Sequence, residues 1–307
     1  MFKKVFVFGC LVMLTVAALA QEIKLGERSV NLTAYLQTRY ALAQSGNDTF
    51  SIPRLRADIW GDVNDWTSYF FELDAVTSPA IIYGWADLKP NKFTKFSIGR
   101  FYYPFGLEYT TPPSKFDTIN PTAMLWALYG YSRDTGIELT QNFDKFKYYL
   151  ALVNGADNQA ADDNEGKDLV GRFLFIQSKD LTAGFSLQSG KTGTLEAKRE
   201  RIGVELNYKA GAFGLKGEGI EAYDAGIRKL GWYLQPSLFL TPALQALMRF
   251  EEWDPDIDLA GNRQTVTTLG VNAFFNPETK LQINYEAKRE EIEVNNDQFL
   301  FQFQLNI

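Results

Sequence analysis

The stretch Gln298–Ile307, with the sequence QFLFQFQLNI, decides the fold of this 307-residue chain. Apolar and polar side chains largely alternate along it, and the outer apolar positions are Phe299, Phe301, Phe303, Leu305 and Ile307. This two-residue period is that of a β-strand with two different faces. At the edge of a sheet in water such a strand would aggregate. In a bilayer the same strand forms the wall of a closed barrel whose apolar face contacts lipid.

The same alternation recurs along the chain in about sixteen segments of roughly ten residues each. The segments begin near Val30, Ser51, Trp66, Ile81, Phe93, Gly136, Phe146, Leu169, Leu181, Arg201, Phe213, Leu230, Ala243, Thr265, Lys280 and Gln298. We therefore predict a single all-β domain over residues 21–307, a transmembrane antiparallel up-and-down β-barrel of about sixteen strands. Pro236 lies inside one strand, and we expect a β-bulge there because a closed barrel offers proline no free edge.

Two kinds of connection alternate between these segments. Those after even-numbered strands are short, as at Asn64-Asp65, whereas most of those after odd-numbered strands are longer and acidic, as at 154–168. Tight periplasmic turns and longer external loops are typical of bacterial outer-membrane barrels. The longest connection, residues 103–135, would be the third external loop and is rich in proline and apolar residues. We expect it to fold into the lumen as a constriction; an external flap or a subunit contact is the alternative.

Residues 1–20 have the pattern of a secretory signal peptide. Lys3 and Lys4 precede an apolar run, and Ala18-Leu19-Ala20 is a small-x-small cleavage site. The single cysteine lies in this segment, and the chain has no histidine. Because exported hydrolases and zinc enzymes depend on such side chains, we expect no enzyme activity, no cofactor and no metal site. The formal net charge of −6 argues against a nucleic-acid partner.

Strand parity sorts the charged side chains onto the polar face, which would line the lumen. The candidate pore-lining bases are Arg39, Arg54, Arg56, Arg172, Arg201 and Arg249, together with Lys147, Lys216 and Lys288. The acids on the same face are Asp58, Glu72, Asp74, Asp87, Glu138, Glu205, Glu218, Glu251 and Glu286. Because the two signs balance, we expect selectivity to depend on where the charges lie relative to the constriction.

Three of these arginines are candidates for a basic patch at the constriction. If the first two strands pair symmetrically about their loop, Arg39 faces Arg54, and Arg56 lies one inward step away. The charged residues of the constriction loop are Glu108, Lys115, Asp117, Arg133 and Asp134, and its carboxylates would face the patch. Alternatively, the three arginines pair with Asp58, Glu72 and Asp74 and only solvate the wall.

The stretch Ile98–Glu108, with the sequence IGRFYYPFGLE, resembles the phosphate-selective porin O and P family, whose members carry a Pro-Phe-Gly turn after a strand. Further similar stretches follow in order: Arg133–Gly136, Tyr148–Gly155, Gly231–Gln235, Met248–Phe250 before Asp254-Pro255, and Asn276-Pro277 before Leu281–Tyr285. The resemblance implies a sixteen-stranded, trimeric porin that passes anions such as phosphate, or small polar solutes, by diffusion.

These patterns lead to one functional expectation and one alternative. We expect an outer-membrane porin that allows small hydrophilic solutes, including anions such as phosphate, to diffuse through a lumen narrowed by the third loop. Its partners would be outer-membrane lipid, lipopolysaccharide and two further copies of the chain. The alternative is a non-conducting structural or adhesion barrel that binds lipopolysaccharide or a partner protein.

Overall fold

The computed structural model describes residues 21–25, 28–130, 132–156, 162, 164–291 and 294–307. The expected signal peptide lies outside these residues. The strands are β1 (Gln21–Leu25), β2 (Arg28–Ala43), β3 (Thr49–Asn64), β4 (Thr67–Asp74), β5 (Ile81–Asn91), β6 (Thr94–Phe101), β7 (Asp134–Asn142), β8 (Phe146–Val153), β9 (Asp168–Ser178), β10 (Leu181–Thr192), β11 (Ala197–Ala210), β12 (Phe213–Asp224), β13 (Ile227–Thr241), β14 (Leu244–Asp254), β15 (Gln264–Phe274), β16 (Thr279–Glu290) and β17 (Gln298–Asn306). A 3-10 helix at Pro113–Lys115 and the helix α1 at Ala123–Leu128 lie between β6 and β7.

The strands β2 to β17 form one closed antiparallel barrel. Each pairs with its neighbours along the chain, and β17 returns to pair with β2, from Gln298 opposite Ala43 to Asn306 opposite Tyr35. The predicted fold class, a sixteen-stranded antiparallel barrel, is therefore confirmed. The short strand β1 forms a hairpin with the first residues of β2, outside the ring of sixteen.

Burial alternates along the strands, and the buried face is the polar one. In β16, Lys280, Gln282 and Asn284 are buried, whereas Ile202 and Val204 of β11 are 50% and 60% exposed. A water-soluble sheet has the opposite arrangement because burial of apolar surface drives its folding. The exposed apolar face is that of a barrel whose outer surface contacts lipid. Among the described residues, no helix is both long and apolar enough to cross a membrane.

The two rims differ in the length of their connections, as the sequence predicts. The connections at one rim are 65–66, 92–93, 143–145, 179–180, 211–212, 242–243 and 275–278. Those at the other are 44–48, 75–80, 102–133, 154–167, 193–196, 225–226, 255–263 and 291–297. The exception at the second rim is the Ala225-Gly226 turn, where both residues have positive φ, at +54° and +90°. A two-residue hairpin turn of type I′ requires that conformation.

Two local expectations were wrong. The ladder between β13 and β14 shows no register shift at Pro236; it is interrupted between Leu234 and Ser237 and resumes in the same register. Instead of forming the expected bulge, Gln235 and Pro236 have no partners in the ladder with β14. The second correction concerns Asp134, which pairs with Phe101 and therefore begins β7 rather than belonging to the connection.

The connection 102–133, called here the β6–β7 segment, contributes much of the buried apolar cluster of the protein. Its residues in this cluster include Tyr103, Phe105, Tyr109, Met124, Leu125, Leu128 and Tyr129. They pack with Ala151, Val153, Val170, Ile220, Ala222, Tyr233 and Trp253, which belong to β8, β9 and β12–β14. The apolar composition that makes this connection unusual in the sequence is thus explained by burial against the strands.

Candidate functional site

Polar side chains of the buried face hold the start of the β6–β7 segment. The carboxylate of Glu218 on β12 accepts hydrogen bonds from the backbone N–H groups of Leu107 and Glu108, at 3.0 and 2.9 Å. Gly106 donates its N–H to the hydroxyl of Ser186 at 3.0 Å. Gly106 has a φ of +69°, and a Cβ there would lie 2.0 Å from Oε1 of Glu218. The Pro-Phe-Gly turn therefore requires glycine for its conformation and for the space that the carboxylate occupies.

Arg249 on β14 is the central anchor of the segment. Its guanidinium donates to Oγ1 of Thr118 at 2.8 Å and to the carbonyl oxygen of Asn120 at 3.0 Å. It also forms ion pairs with Glu108 at 3.4 Å and with Glu251 at 2.8 Å, and it is 1% exposed. Buried ion pairs of this kind need several further hydrogen bonds to offset the cost of desolvation.

Glu108 is the residue of the segment that pairs with Arg249. Its carboxylate accepts hydrogen bonds from the backbone N–H of Thr122, at 3.1 Å, and from the Thr122 hydroxyl, at 2.5 Å. Burial raises the pKa of the Glu108 carboxyl, although Arg249 and the Thr122 hydrogen bonds act in the opposite direction. The same threonine caps α1, since its hydroxyl accepts from the N–H of Leu125.

Further bonds tie the segment to strands β9 to β16. Arg172 donates to the hydroxyl of Thr110 at 2.7 Å and pairs with Glu205 at 2.5 Å. Arg201 donates to the carbonyl oxygen of Leu128 at 2.9 Å, lies 4.6 Å from the centre of the Tyr129 ring and pairs with Asp224 at 3.0 Å. In addition, Lys216 binds Asp117 at 2.6 Å, Lys280 donates to the Ser114 and Phe116 carbonyl oxygens, and Asn284 accepts from the Ile119 N–H. Three of the candidate arginines, at 172, 201 and 249, are thus engaged with the segment.

The arginines of β2 and β3 have different partners. Gln37, and not Arg39, lies opposite Arg54, whereas Arg39 lies opposite Ser51. Arg54 donates to the side-chain oxygen of Gln37 at 2.9 Å. The predicted pairing of Arg39 with Arg54 was therefore wrong, since the hairpin is not symmetric about its loop.

The three arginines also contact different groups. Arg56 pairs with Glu72 at 2.7 Å and with Asp74 at 2.8 Å, as the alternative interpretation predicted. Arg39 reaches the segment, but through the amide oxygen of Asn120, at 3.0 Å, rather than through a carboxylate. The carboxylates expected to face the patch bind elsewhere: Glu108 binds Arg249, Asp117 binds Lys216, and Asp134 accepts from the N–H groups of Thr135 and Gly155.

The two remaining charged residues of the segment lie in different surroundings. Lys115 is exposed at the end of the 3-10 helix. Arg133 is buried, and its guanidinium lies 4.9 and 5.5 Å from the centres of the Tyr83 and Tyr102 rings. Contacts of this kind stabilise a cation in the absence of water.

Two cavities flank the guanidinium of Arg56, which lines both of them. The first has a volume of about 750 Å³ and is lined by residues that include Arg39, Arg54, Asn120, Glu286 and Lys288. It reaches Thr77 and Asn296 in the rim with the longer connections. The second has a volume of about 330 Å³ and lies between β2–β7 and residues 112–114 of the segment.

The aromatic lining of the second cavity was not predicted from the sequence. Phe70, Tyr83, Trp85 and Tyr102 all line it. A signal was present, because Phe70 lies at the same strand parity as the charged Glu72 and Asp74, on the face otherwise occupied by polar residues. Recognising the cluster also required the register that places Phe70 opposite Trp85.

A closed sixteen-strand barrel with an exposed apolar face and a buried, charged face is an outer-membrane β-barrel. The sequence model of the Gram-negative porin family matches residues 9–298, and the chain belongs to that family. It is an outer-membrane porin. A search of curated protein sequences gives no match.

Solved structures share the fold at low sequence identity. A loop L8 deletion mutant of OmpT, an outer membrane protein of Vibrio cholerae, aligns with a TM-score of 0.71 at 13% identity, over 92% of this chain and 100% of that one. In-vitro folded OmpT in its trimer form gives 0.68 at 13% identity, over 91% and 99%. An anion-selective porin from Comamonas acidovorans gives 0.67 at 15% identity, over 91% and 99%.

Proposed function

We propose that small hydrophilic solutes diffuse passively through this porin, along a passage narrowed by the β6–β7 segment, without enzymatic conversion. The observation that carries the proposal is the position of the two cavities, which lie on either side of Arg56 along the wall β2–β4. The buried polar face is then the inner face of the barrel, and the cavities are parts of one aqueous route across it.

The narrowing by the segment is supported by the distribution of its anchors. Its backbone and side chains bond to side chains on the buried face of β9 (Arg172), β12 (Glu218), β14 (Arg249) and β16 (Lys280), and Arg39 of β2 bonds to Asn120. A segment that lay flat on the rim could not contact the same face of strands from so much of the circumference. The segment would therefore leave its opening beside β3–β5.

Anions such as phosphate are the solutes proposed to benefit most. Arg39, Arg54 and Arg56 all line one or both cavities, so that guanidinium groups follow the route past its narrowest part. The fold is shared with an anion-selective porin. The sequence resemblance to the phosphate-selective porins supports the same preference for anions. Carboxylates such as Glu72 and Glu286 lie beside the arginines, which predicts a moderate preference rather than an exclusive one.

The proposed assembly is a homotrimer embedded in outer-membrane lipid and lipopolysaccharide. OmpT of Vibrio cholerae, which shares the fold, has a trimer form. The exposed apolar side chains supply the outer face that either lipid or a second copy of the chain would cover.

Planar-bilayer recording of the purified protein tests the passage and its preference. An open passage conducts in salt, and the reversal potential across a salt gradient then reports the anion-to-cation permeability ratio, with chloride and with phosphate. Arg54→Gln should lower that ratio, whereas Arg228→Gln, at a half-exposed arginine paired with Glu221, should leave it unchanged. A folded protein that never conducts would contradict the proposal and favour the structural or adhesion barrel.

A further inference from the structure

Aromatic side chains form a row on the buried, otherwise polar face of three neighbouring strands. Trp60 of β3 lies opposite Phe70 of β4, and Phe70 lies opposite Trp85 of β5. The Phe70 and Trp85 rings are stacked, with centroids 4.3 Å apart and planes 19° from parallel. Aromatic residues on the other face would be explained by lipid contact, but these share their face with Asp58 and Glu72. Contact with lipid therefore does not explain these aromatic side chains.

The row continues into the second cavity, where Tyr83 and Tyr102 extend it. The Tyr83 ring meets Trp85 edge-on at 6.1 Å and Tyr102 at 4.7 Å. Pro112 and Pro113 of the β6–β7 segment also line the cavity. We call this cavity the slot; its lining is largely aromatic, and its volume of about 330 Å³ lies near the lower end of the range for ligand pockets.

Several residues that line this slot carry buried polar atoms without a hydrogen-bond partner. Among the described residues, the buried side-chain atoms of this kind include the hydroxyls of Tyr35, Tyr83 and Tyr102, Nε1 of Trp85 and Oδ1 of Asp58. All five residues line the same cavity. Buried donors and acceptors that stay unsatisfied destabilise the folded protein. Small side-chain rotations would let them bond to a solute rich in hydroxyl groups.

We propose that the slot binds a neutral carbohydrate, with a pyranose ring against Phe70 and Trp85 and its hydroxyls bonded to Asp58, Glu72, Arg56 and the tyrosines. A sugar ring has an apolar C–H face and a rim of hydroxyls, each of which can donate and accept, and the slot offers the complement of both. Inorganic phosphate fits this slot less well, because Asp58, Glu72 and Glu138 also line it. The inference rests on the proposed passage, through which the sugar would reach the slot.

The first measurement is saturation-transfer NMR with maltose on the full chain, in lauryldimethylamine oxide because the headgroup of that detergent is not a sugar. Binding of maltose is expected. Phe70→Ala should weaken it about tenfold through loss of the stacking surface. The matched control is Phe71→Ala, since Phe71 is the next residue of β4 and is 44% exposed on the apolar face. It should leave the affinity unchanged.

Asp58→Asn provides a second variant that keeps the aromatic row and the side-chain volume. It should weaken maltose binding about fivefold, because the amide offers one acceptor oxygen where the carboxyl group has two. No saturation transfer to maltose, equal effects of the two phenylalanine variants, or stronger binding of choline than of maltose would each overturn the inference. Choline tests the competing chemistry of an organic cation on aromatic rings and carboxylates.

Bilayer recording separates this inference from the proposed passage. Maltose should reduce the single-channel current of the wild-type protein, and Phe70→Ala should require about tenfold more sugar for the same reduction. If the protein conducts but neither its current nor its NMR signals respond to maltose, the carbohydrate slot is refuted and the proposed porin function stands. A non-conducting protein that still transfers saturation to maltose refutes the passage and supports the slot.

Discussion

Two parts of the barrel wall differ in how their charged side chains contact the β6–β7 segment. In the anchoring wall, β9–β17, several charged side chains bond to the segment, as Arg172, Lys216 and Arg249 do, and Arg172 and Arg249 also pair within the wall. The open wall, β3–β5, pairs its charges within the wall, as Arg56 does with Glu72 and Asp74, and keeps a cavity beside them. Charges of similar type thus act as structural anchors on one wall and remain next to open space on the other.

The largest expected effect comes from removing the central anchor. Arg249→Met leaves Glu108 and Glu251 buried without the cation between them, and should lower the free energy of unfolding by about 3–5 kcal/mol. Urea unfolding in lipid vesicles measures this change. The control is Arg228→Met, whose ion pair with Glu221 is half exposed and should be worth less than about 1 kcal/mol. Equal losses in the two variants would show that the cluster around Arg249 does not hold the segment.

A somewhat smaller effect is expected at the turn of the segment. In Gly106→Ala the new Cβ would overlap the Glu218 carboxylate and disturb its bonds to Leu107 and Glu108, at a cost of about 2–3 kcal/mol. Gly211→Ala is the control, because Gly211 has a φ of +57° but a Cβ added there would have no neighbouring atom within 4 Å. Unfolding measurements should therefore separate the backbone cost, common to both, from the contact with Glu218. Similar losses of unfolding free energy in the two variants would show that the contact with Glu218 does not contribute.

The third prediction compares one arginine from each wall. Arg56→Gln should lower the anion-to-cation permeability ratio about twofold, because a cation beside the route is lost. Arg172→Gln should change the ratio little, since Arg172 lines neither of the two cavities and its guanidinium is bound to Thr110 and Glu205. Reversal potentials across a salt gradient measure both variants. An equal change in the two would show that the walls do not differ in their access to solute.

The smallest expected effect is a dependence on pH at Glu108. Burial raises the pKa of this carboxyl in the folded protein, so folding favours its protonated form. Its contribution to stability is then complete below the usual glutamate pKa and is lost as the pH rises through the raised pKa. Glu108→Gln should remove this part of the slope of unfolding free energy against pH. Urea titrations at several pH values give the difference, and identical slopes would contradict the prediction.

The barrel could be predicted from the sequence because its signals are local. Alternation within each strand places segments such as Phe146–Val153 and Gln298–Asn306 at their observed starting residues. The same alternation separates apolar from polar side chains. It does not fix the register between strands. The symmetric hairpin expected from the sequence put Arg39 opposite Arg54, whereas the observed register puts Gln37 there.

The contacts of the candidate site could not be predicted in the same way. The β6–β7 segment has no two-residue period, and its partners are distant in sequence; Arg249 and Glu108, for example, are 141 residues apart. The aromatic slot also depends on register, since Trp60, Phe70 and Trp85 become neighbours only when three strands pair. Sequence parity could show that Phe70 breaks the polar pattern of its face, but not what completes the cluster.

The hydrogen bond from the Leu107 N–H to Glu218 also has a consequence for the order of folding. These two groups are 111 residues apart, and the carboxylate is in position only once β12 has joined the sheet. Closing so long a stretch of chain is slow compared with pairing adjacent hairpins. If the segment narrows the passage as proposed, that narrowing is therefore completed late in assembly, after β12 has joined the sheet.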